Sequence, residues 1–139
     1  MEQMKVSDPY FSTDRSVDRL LDQYEKNKNL IVAFDFDDTI YDYHKKGYEY
    51  KKVMELLRMC QAYKMTLIMF TTDEDLLNIE WKKKFCKDYG LTITYVNESP
   101  IMPKAKKPFY NILLDDKAGL GQAYEILNQT MTRIKELTY

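Results

Sequence analysis

Leu30-Ile31-Val32-Ala33-Phe34-Asp35-Phe36-Asp37-Asp38-Thr39 begins as an apolar run and ends in three carboxylates and a hydroxyl. An apolar, partly β-branched run bounded by polar residues predicts a strand with both faces covered. Carboxylates at the mouth of a buried strand repel one another unless a cation sits among them. A divalent metal is the simplest remedy. In open α/β sheets ligands bind in the crevice beyond the carboxyl ends of the strands, which puts Asp35 and Asp37 where chemistry is usually done.

Two further stretches repeat the design. Asn111-Ile112-Leu113-Leu114 delivers Asp115 and Asp116, and Met65-Thr66-Leu67-Ile68-Met69-Phe70 delivers Thr71 and Thr72. Between these strands the pattern predicts helices. Thr13 can cap a first one carrying Val17, Leu20, Leu21 and Tyr24, which the charged stretch Glu25 to Asn29 ends. A second presents Val53, Leu56, Leu57 and Cys60 inward. Thr72, with Asp73, Glu74 and Asp75 behind it, reads as a helix start, since acids favour the positive end of the helix dipole. That helix carries Leu77, Trp81, Phe85 and Tyr89 on one face and stops at Gly90. Leu91 to Val96 reads as an outer strand, Asn97 to Pro108 as a long loop, and a last helix carries Leu120, Ala123, Tyr124, Leu127, Met131 and Ile134. Residues ahead of Pro9 and Tyr10 are expected to be loosely held. Strands alternating with helices imply a parallel sheet with right-handed crossovers.

Three apolar strands ending in D-x-D-x-T, in Thr and in paired acids resemble the haloacid dehalogenase superfamily of phosphohydrolases over residues 30 to 120. Asp35, Asp37 and Thr39 match its first motif, Thr71 its second, and Asp115 and Asp116 its fourth. Its third, a lysine ahead of the last motif strand, has candidates in Lys104, Lys106 and Lys107. The resemblance implies a Rossmann-like, three-layer α/β fold of about four strands with helices on both faces, strand one lying between strands two and four. No stretch offers a fifth strand after Leu120. Members often insert a cap after the first or second motif, but Ile40 to Lys64 and Thr72 to Lys107 are too short for one, so residues 1–139 are expected to form a single capless domain with an open site.

The resemblance further implies a role for each residue. Asp35 would be the nucleophile, and Asp37 would protonate the leaving oxygen and later deprotonate the hydrolytic water, while its backbone carbonyl joins Asp35 and Asp116 as ligands of Mg²⁺. Hard oxygen donors without nearby His or Cys favour Mg²⁺ over zinc. Thr71 would donate its hydroxyl to the transferring phosphoryl group, or else cap the next helix. Lys107, nearest to the fourth strand, is favoured over Lys104 as the lysine that neutralises phosphate charge, with Asp115 as its partner. Asp38 occupies a position that is commonly Gly in the family and receives no catalytic duty. His44 is read as an exposed histidine without function, and Lys82, Lys83, Lys84 and Lys87 as the wet face of a helix. The expected activity is a Mg²⁺-dependent phosphatase working through an aspartyl-phosphate, on a nucleotide, a nucleic-acid end or another phosphoester. The alternatives are a phosphotransferase on the same scaffold and a regulatory phosphate-binding protein without turnover.

Composition is consistent with this reading and narrows the partners. Lys and Arg number 21 against 22 Asp and Glu in 139 residues, so no strong global field draws the chain to nucleic acid or to a membrane. No apolar run approaches signal-peptide or membrane-spanning length, and Cys60 and Cys86 read as buried small hydrophobes, which together lead to the expectation of a cytoplasmic protein. Twelve Tyr and six Phe supply bulky side chains for a thin core.

Overall fold

The structure, a computed structural model, describes residues 11–102 and 107–138. In chain order it contains α1 (Thr13–Asn27), β1 (Ile31–Asp35), α2 (Lys51–Ala62), β2 (Thr66–Phe70), α3 (Leu76–Asp88), β3 (Tyr95–Val96), β4 (Ile112–Leu114) and α4 (Leu120–Leu137). The strands form one parallel sheet in the order β3-β2-β1-β4, with β1 between β2 and β4 as the resemblance implies. Asp35 lies opposite Phe70, and Phe34 lies opposite Leu114, so Thr71 and Asp115 leave their strands level with the end of β1.

Side-chain alternation along the strands divides the core. Val32, Phe34, Leu67, Met69, Ile112 and Leu114 point to the face that receives apolar side chains from all four helices. Ile31, Ala33 and Ile68 point the other way, packed by Phe70, Tyr95, Tyr110 and Leu113. Among the described residues no helical side chain belongs to this smaller cluster. The β3–β4 connection contains no helix among its described residues, and Tyr110 from that connection stacks edge-on against Phe70 at 5.8 Å between ring centroids. Between Ile40 and Lys64 the chain supplies one loop and α2, which leaves the crevice beyond the strand ends without a cap domain among the described residues.

Two helix starts differ from the expected ones. Ser12, not Thr13, caps α1, its hydroxyl accepting from Arg15 N at 3.4 Å. Asp75, not Thr72, caps α3, accepting from Leu77 N at 2.9 Å. In each case another residue with a side-chain acceptor lies close by, and local composition does not distinguish them. The outer strand is also shorter than its pattern: only Tyr95 and Val96 pair with β2, although Leu91 and Ile93 are buried in the core. At the start of β1, Asn111 extends the pairing with the β4 side, its carboxamide oxygen accepting from Ile31 N at 2.7 Å.

Candidate active site

Asp35 ends β1 half-buried, and the chain then turns sharply so that Asp37, Asp38 and Thr39 fold over the strand end. The turn requires Asp38 to adopt φ 59°, in the left-handed region that Gly enters freely and Asp tolerates. This accounts for the residue type at a position where the resembled family commonly has Gly. Asp38 N donates to Tyr41 O at 2.7 Å, and the Asp38 carboxylate pairs with His44 Nδ1. His44 thus pins the loop after the acidic turn, a local structural role that the reading of a functionless exposed histidine missed.

Thr39 is fully buried, and its hydroxyl accepts from Asp116 N at 3.1 Å. This bond ties the turn after β1 to the turn after β4 and brings three carboxylates together. Single oxygens of Asp35, Asp115 and Asp116 lie within 4.8 Å of one another. Burial, then the charges of Asp115 and Asp116, a hydrogen bond with Asp116 and the charge of Asp37 push the Asp35 carboxyl up to about 7. Burial is the largest cause of this rise and the neighbouring carboxylates add to it, and the donor set consists of hard oxygens. Both features suit Mg²⁺. Asp115 therefore joins Asp35 and Asp116 in the acidic group, where the expectation had made it the partner of a lysine. The Asp37 side chain stands apart from this group.

The lysine at the site comes from an unexpected element. Lys82, on α3, is only 5% exposed, and its ammonium lies 2.7 Å from Thr71 Oγ1, 2.8 Å from Asp73 and 3.7 Å from Asp37. Its Nζ also lies over the Phe36 ring, 5.0 Å from the centroid. The reading of Lys82 as part of a wet helix face is thereby corrected, because a buried ammonium persists only where acceptors surround it. Lys107 lines a different cleft, with Ser99, Ile101 and Phe109. Lys104 and Lys106 lie outside the described residues.

Thr71 is not a helix cap, since α3 begins five residues later. Its hydroxyl oxygen accepts from Lys82 Nζ at 2.7 Å and from Asp73 N at 3.1 Å. With both lone pairs engaged, the hydroxyl proton is left to donate outward. Asn97, not singled out in the sequence, holds the Thr71 backbone from both sides: its carboxamide oxygen accepts from Thr71 N at 3.0 Å, and its Nδ2 donates to Thr71 O at 2.7 Å. Nothing in the sequence singles it out; in the structure it stands just past β3 with a left-handed φ of 53°. Cys60 and Cys86 are buried, and burial pushes both thiols up to about 12, which leaves them protonated and inert.

The chain matches no protein-family model and no curated protein. Among solved structures it is similar to a conserved protein from Bacteroides thetaiotaomicron, with 25% sequence identity and a TM-score of 0.58 over 73% of this chain and 91% of the other. The similarity supports the four-stranded α/β architecture. Among the described residues, no helix is long and apolar enough to cross a membrane.

Proposed function

We propose that this chain is a Mg²⁺-dependent phosphohydrolase of the haloacid dehalogenase type, working through an aspartyl-phosphate on Asp35. The observation that carries the reading is the division of charge at the strand ends: an acidic group of Asp35, Asp115 and Asp116 on one side, and Lys82 with Thr71 on the other. Phosphoryl transfer asks for both, a place for a cation that screens an anionic nucleophile from an anionic substrate and donors aimed at the phosphoryl oxygens.

Asp35, Asp115 and Asp116 would hold Mg²⁺, which when bound neutralises the carboxylates and the phosphoryl oxygens. Asp35 then attacks phosphorus through a carboxylate oxygen, forming the Asp35–phosphorus bond as the bond to the leaving oxygen breaks. The Asp37 carboxyl supplies the proton that the leaving oxygen takes. In the second half, Asp37, now a carboxylate, removes a proton from water, the water oxygen bonds to phosphorus, and the bond to Asp35 breaks to release inorganic phosphate. Thr71 donates its remaining hydroxyl proton to a phosphoryl oxygen. Lys82 orients that hydroxyl and adds positive charge, while Asp73, 2.8 Å away, holds the ammonium in place.

The test is hydrolysis of an aryl phosphate before and after EDTA treatment, with Mg²⁺ restored. Activity is expected to vanish in chelator and return with the metal. Full activity in EDTA would remove the metal from the reading.

A further inference from the structure

A cleft of about 620 Å³ begins where the acidic turn ends. It is lined by Tyr41, Tyr48 and Tyr50 from the loop after β1, by Phe85 of α3 and Tyr89 that caps its C-terminus, and by Arg58 of α2. Its aromatic wall is built in depth. Tyr41 stacks on Phe36 at 5.4 Å between ring centroids and meets Phe85 edge-on at 5.3 Å, and Phe85 packs against Tyr89 at 4.9 Å. Behind this rigid floor, Tyr48 and Tyr89 stand 63% and 51% exposed, with ring surface turned to solvent. An exposed aromatic face beside a packed aromatic floor is costly to leave in water and favourable to cover with another flat ring.

The cleft opens beside the acidic turn: Tyr41 in its lining accepts from Asp38 N at 2.7 Å, and Thr39, two residues earlier, accepts from Asp116 N at 3.1 Å. Tyr41 and Asp42 follow Thr39 within three residues, and the hydroxyl of Tyr50 feels burial first and then the charges of Asp38, Asp42 and Asp116, which raise it above its ordinary range.

We propose that this cleft binds the base of a nucleoside monophosphate, so that the substrate of the phosphohydrolase is a mononucleotide. The inference rests on the proposed activity for its phosphate end and on the cleft for its ring. Three features choose among flat-ringed phosphoesters. The volume suits one small-molecule ligand. The lining cations Lys51 and Arg58 are balanced by Asp42 and Glu49, so the cleft lacks the positive stripe that a polynucleotide backbone needs. Donors and acceptors around an aromatic floor match the polar edge of a heterocyclic base, whereas the phenyl ring of a phosphotyrosine has no such edge. The Asp42 carboxylate already accepts from Lys46 N and Gly47 N, at 3.0 and 2.8 Å, which leaves Glu49, Lys51 and Arg58 as the groups free to read the base.

The experiment measures kcat/KM for a panel of nucleoside 5′- and 3′-monophosphates, ribose 5-phosphate and a phosphotyrosine peptide, alongside fluorescence of the single tryptophan. Trp81 lies 5.2 Å from Tyr41 between ring centroids and reports on the wall of the cleft. The expected result is a preference of about 10- to 100-fold for a nucleotide over ribose 5-phosphate, the range that stacking of one base supplies, with Trp81 emission saturating as the unphosphorylated nucleoside is added. Tyr48→Ala and Arg58→Ala, both at exposed positions, are each expected to narrow that preference about 10-fold. Equal kcat/KM for every ester with no Trp81 response would overturn the proposal while leaving the phosphohydrolase intact. No turnover of any ester together with a saturable Trp81 response would end the phosphohydrolase reading and keep the nucleotide site. A phosphotyrosine peptide outrunning every nucleotide would overturn the proposal in favour of a protein substrate.

Discussion

Replacing Asp35 by Asn should stabilise the metal-free protein at alkaline pH while abolishing the chemistry proposed for it. The folded Asp35 carboxyl titrates at about 7, against an ordinary value of 3.8. Between these values the folded chain holds a proton that the unfolded chain has lost, so stability falls as pH rises through that window, and the full penalty is present above pH 7. Each tenfold change in proton affinity between the folded and unfolded chain corresponds to about 1.4 kcal/mol, and the roughly thousandfold change at Asp35 gives roughly 4 kcal/mol as an upper bound. Because Asp35 is only half-buried, solvent screening reduces this to about 2 kcal/mol. For a chain of this length that amounts to about 7 °C in melting temperature.

The assay is thermal unfolding of the wild type and Asp35→Asn in EDTA from pH 4 to pH 8. The two are expected to melt together near pH 4, and the variant to melt about 7 °C higher at pH 8. Mg²⁺ should then reverse the order at pH 8. A ligand at a hundredfold excess over its Kd stabilises the folded state by about 2.7 kcal/mol, and the Asn variant, having lost an anionic donor, should gain much less. A wild type minus variant difference that stays flat with pH in EDTA would refute the raising of the Asp35 carboxyl by its burial and its acidic neighbours. Equal stabilisation of both proteins by Mg²⁺ would refute its part in holding the metal.

Lys82→Met keeps a long side chain beside Phe36 but leaves Asp37 and Asp73 facing each other without the ammonium; it should fold, lose about 1–2 kcal/mol in denaturant melts because both carboxylates are about a third exposed, and lose about 100-fold in aryl phosphate kcat/KM. Wild-type turnover by this variant would exclude Lys82 from the site. Asp37→Asn should retain more activity on aryl than on alkyl phosphates, since a good leaving group departs with little protonation, whereas Asp35→Asn should be inactive on both; equal losses across leaving groups would remove Asp37 from acid–base duty. Thr39→Val should cost about 1 kcal/mol and raise the Mg²⁺ concentration needed for half-activity, because Asp116 N loses its buried acceptor, and Thr39→Ser should restore both; a Val variant with unchanged Mg²⁺ dependence would mean that this bond does not position Asp116.

The strand ends were legible in the sequence because an apolar run that stops at a carboxylate or hydroxyl carries both its burial and its chemistry in consecutive residues. Asp35, Thr71, Asp115 and Asp116 could be placed this way, whereas the central position of β1 came only with the family resemblance. Side chains that reach the site from elsewhere were not legible on those grounds. Asn97 grips Thr71 from the end of a strand only two residues long, and Asp75 caps α3 where Thr72 offered the same chemistry. Lys82 is the instructive miss. The run Leu77, Trp81, Phe85 and Tyr89 has the spacing of an inward face, yet Leu77 is 81% exposed and the three aromatics form a shelf along Tyr41 and Phe36. The two residues that α3 buries are Lys82 and Cys86. Four residues apart on a helix of 3.6 residues per turn, they lie on one face, so reading Cys86 as buried and Lys82 as solvated could not both hold. Resolving that conflict in favour of the thiol would have carried a lysine into the core, where only neighbouring acids and hydroxyls could satisfy it, and the acids and hydroxyls of this chain stand at the strand ends.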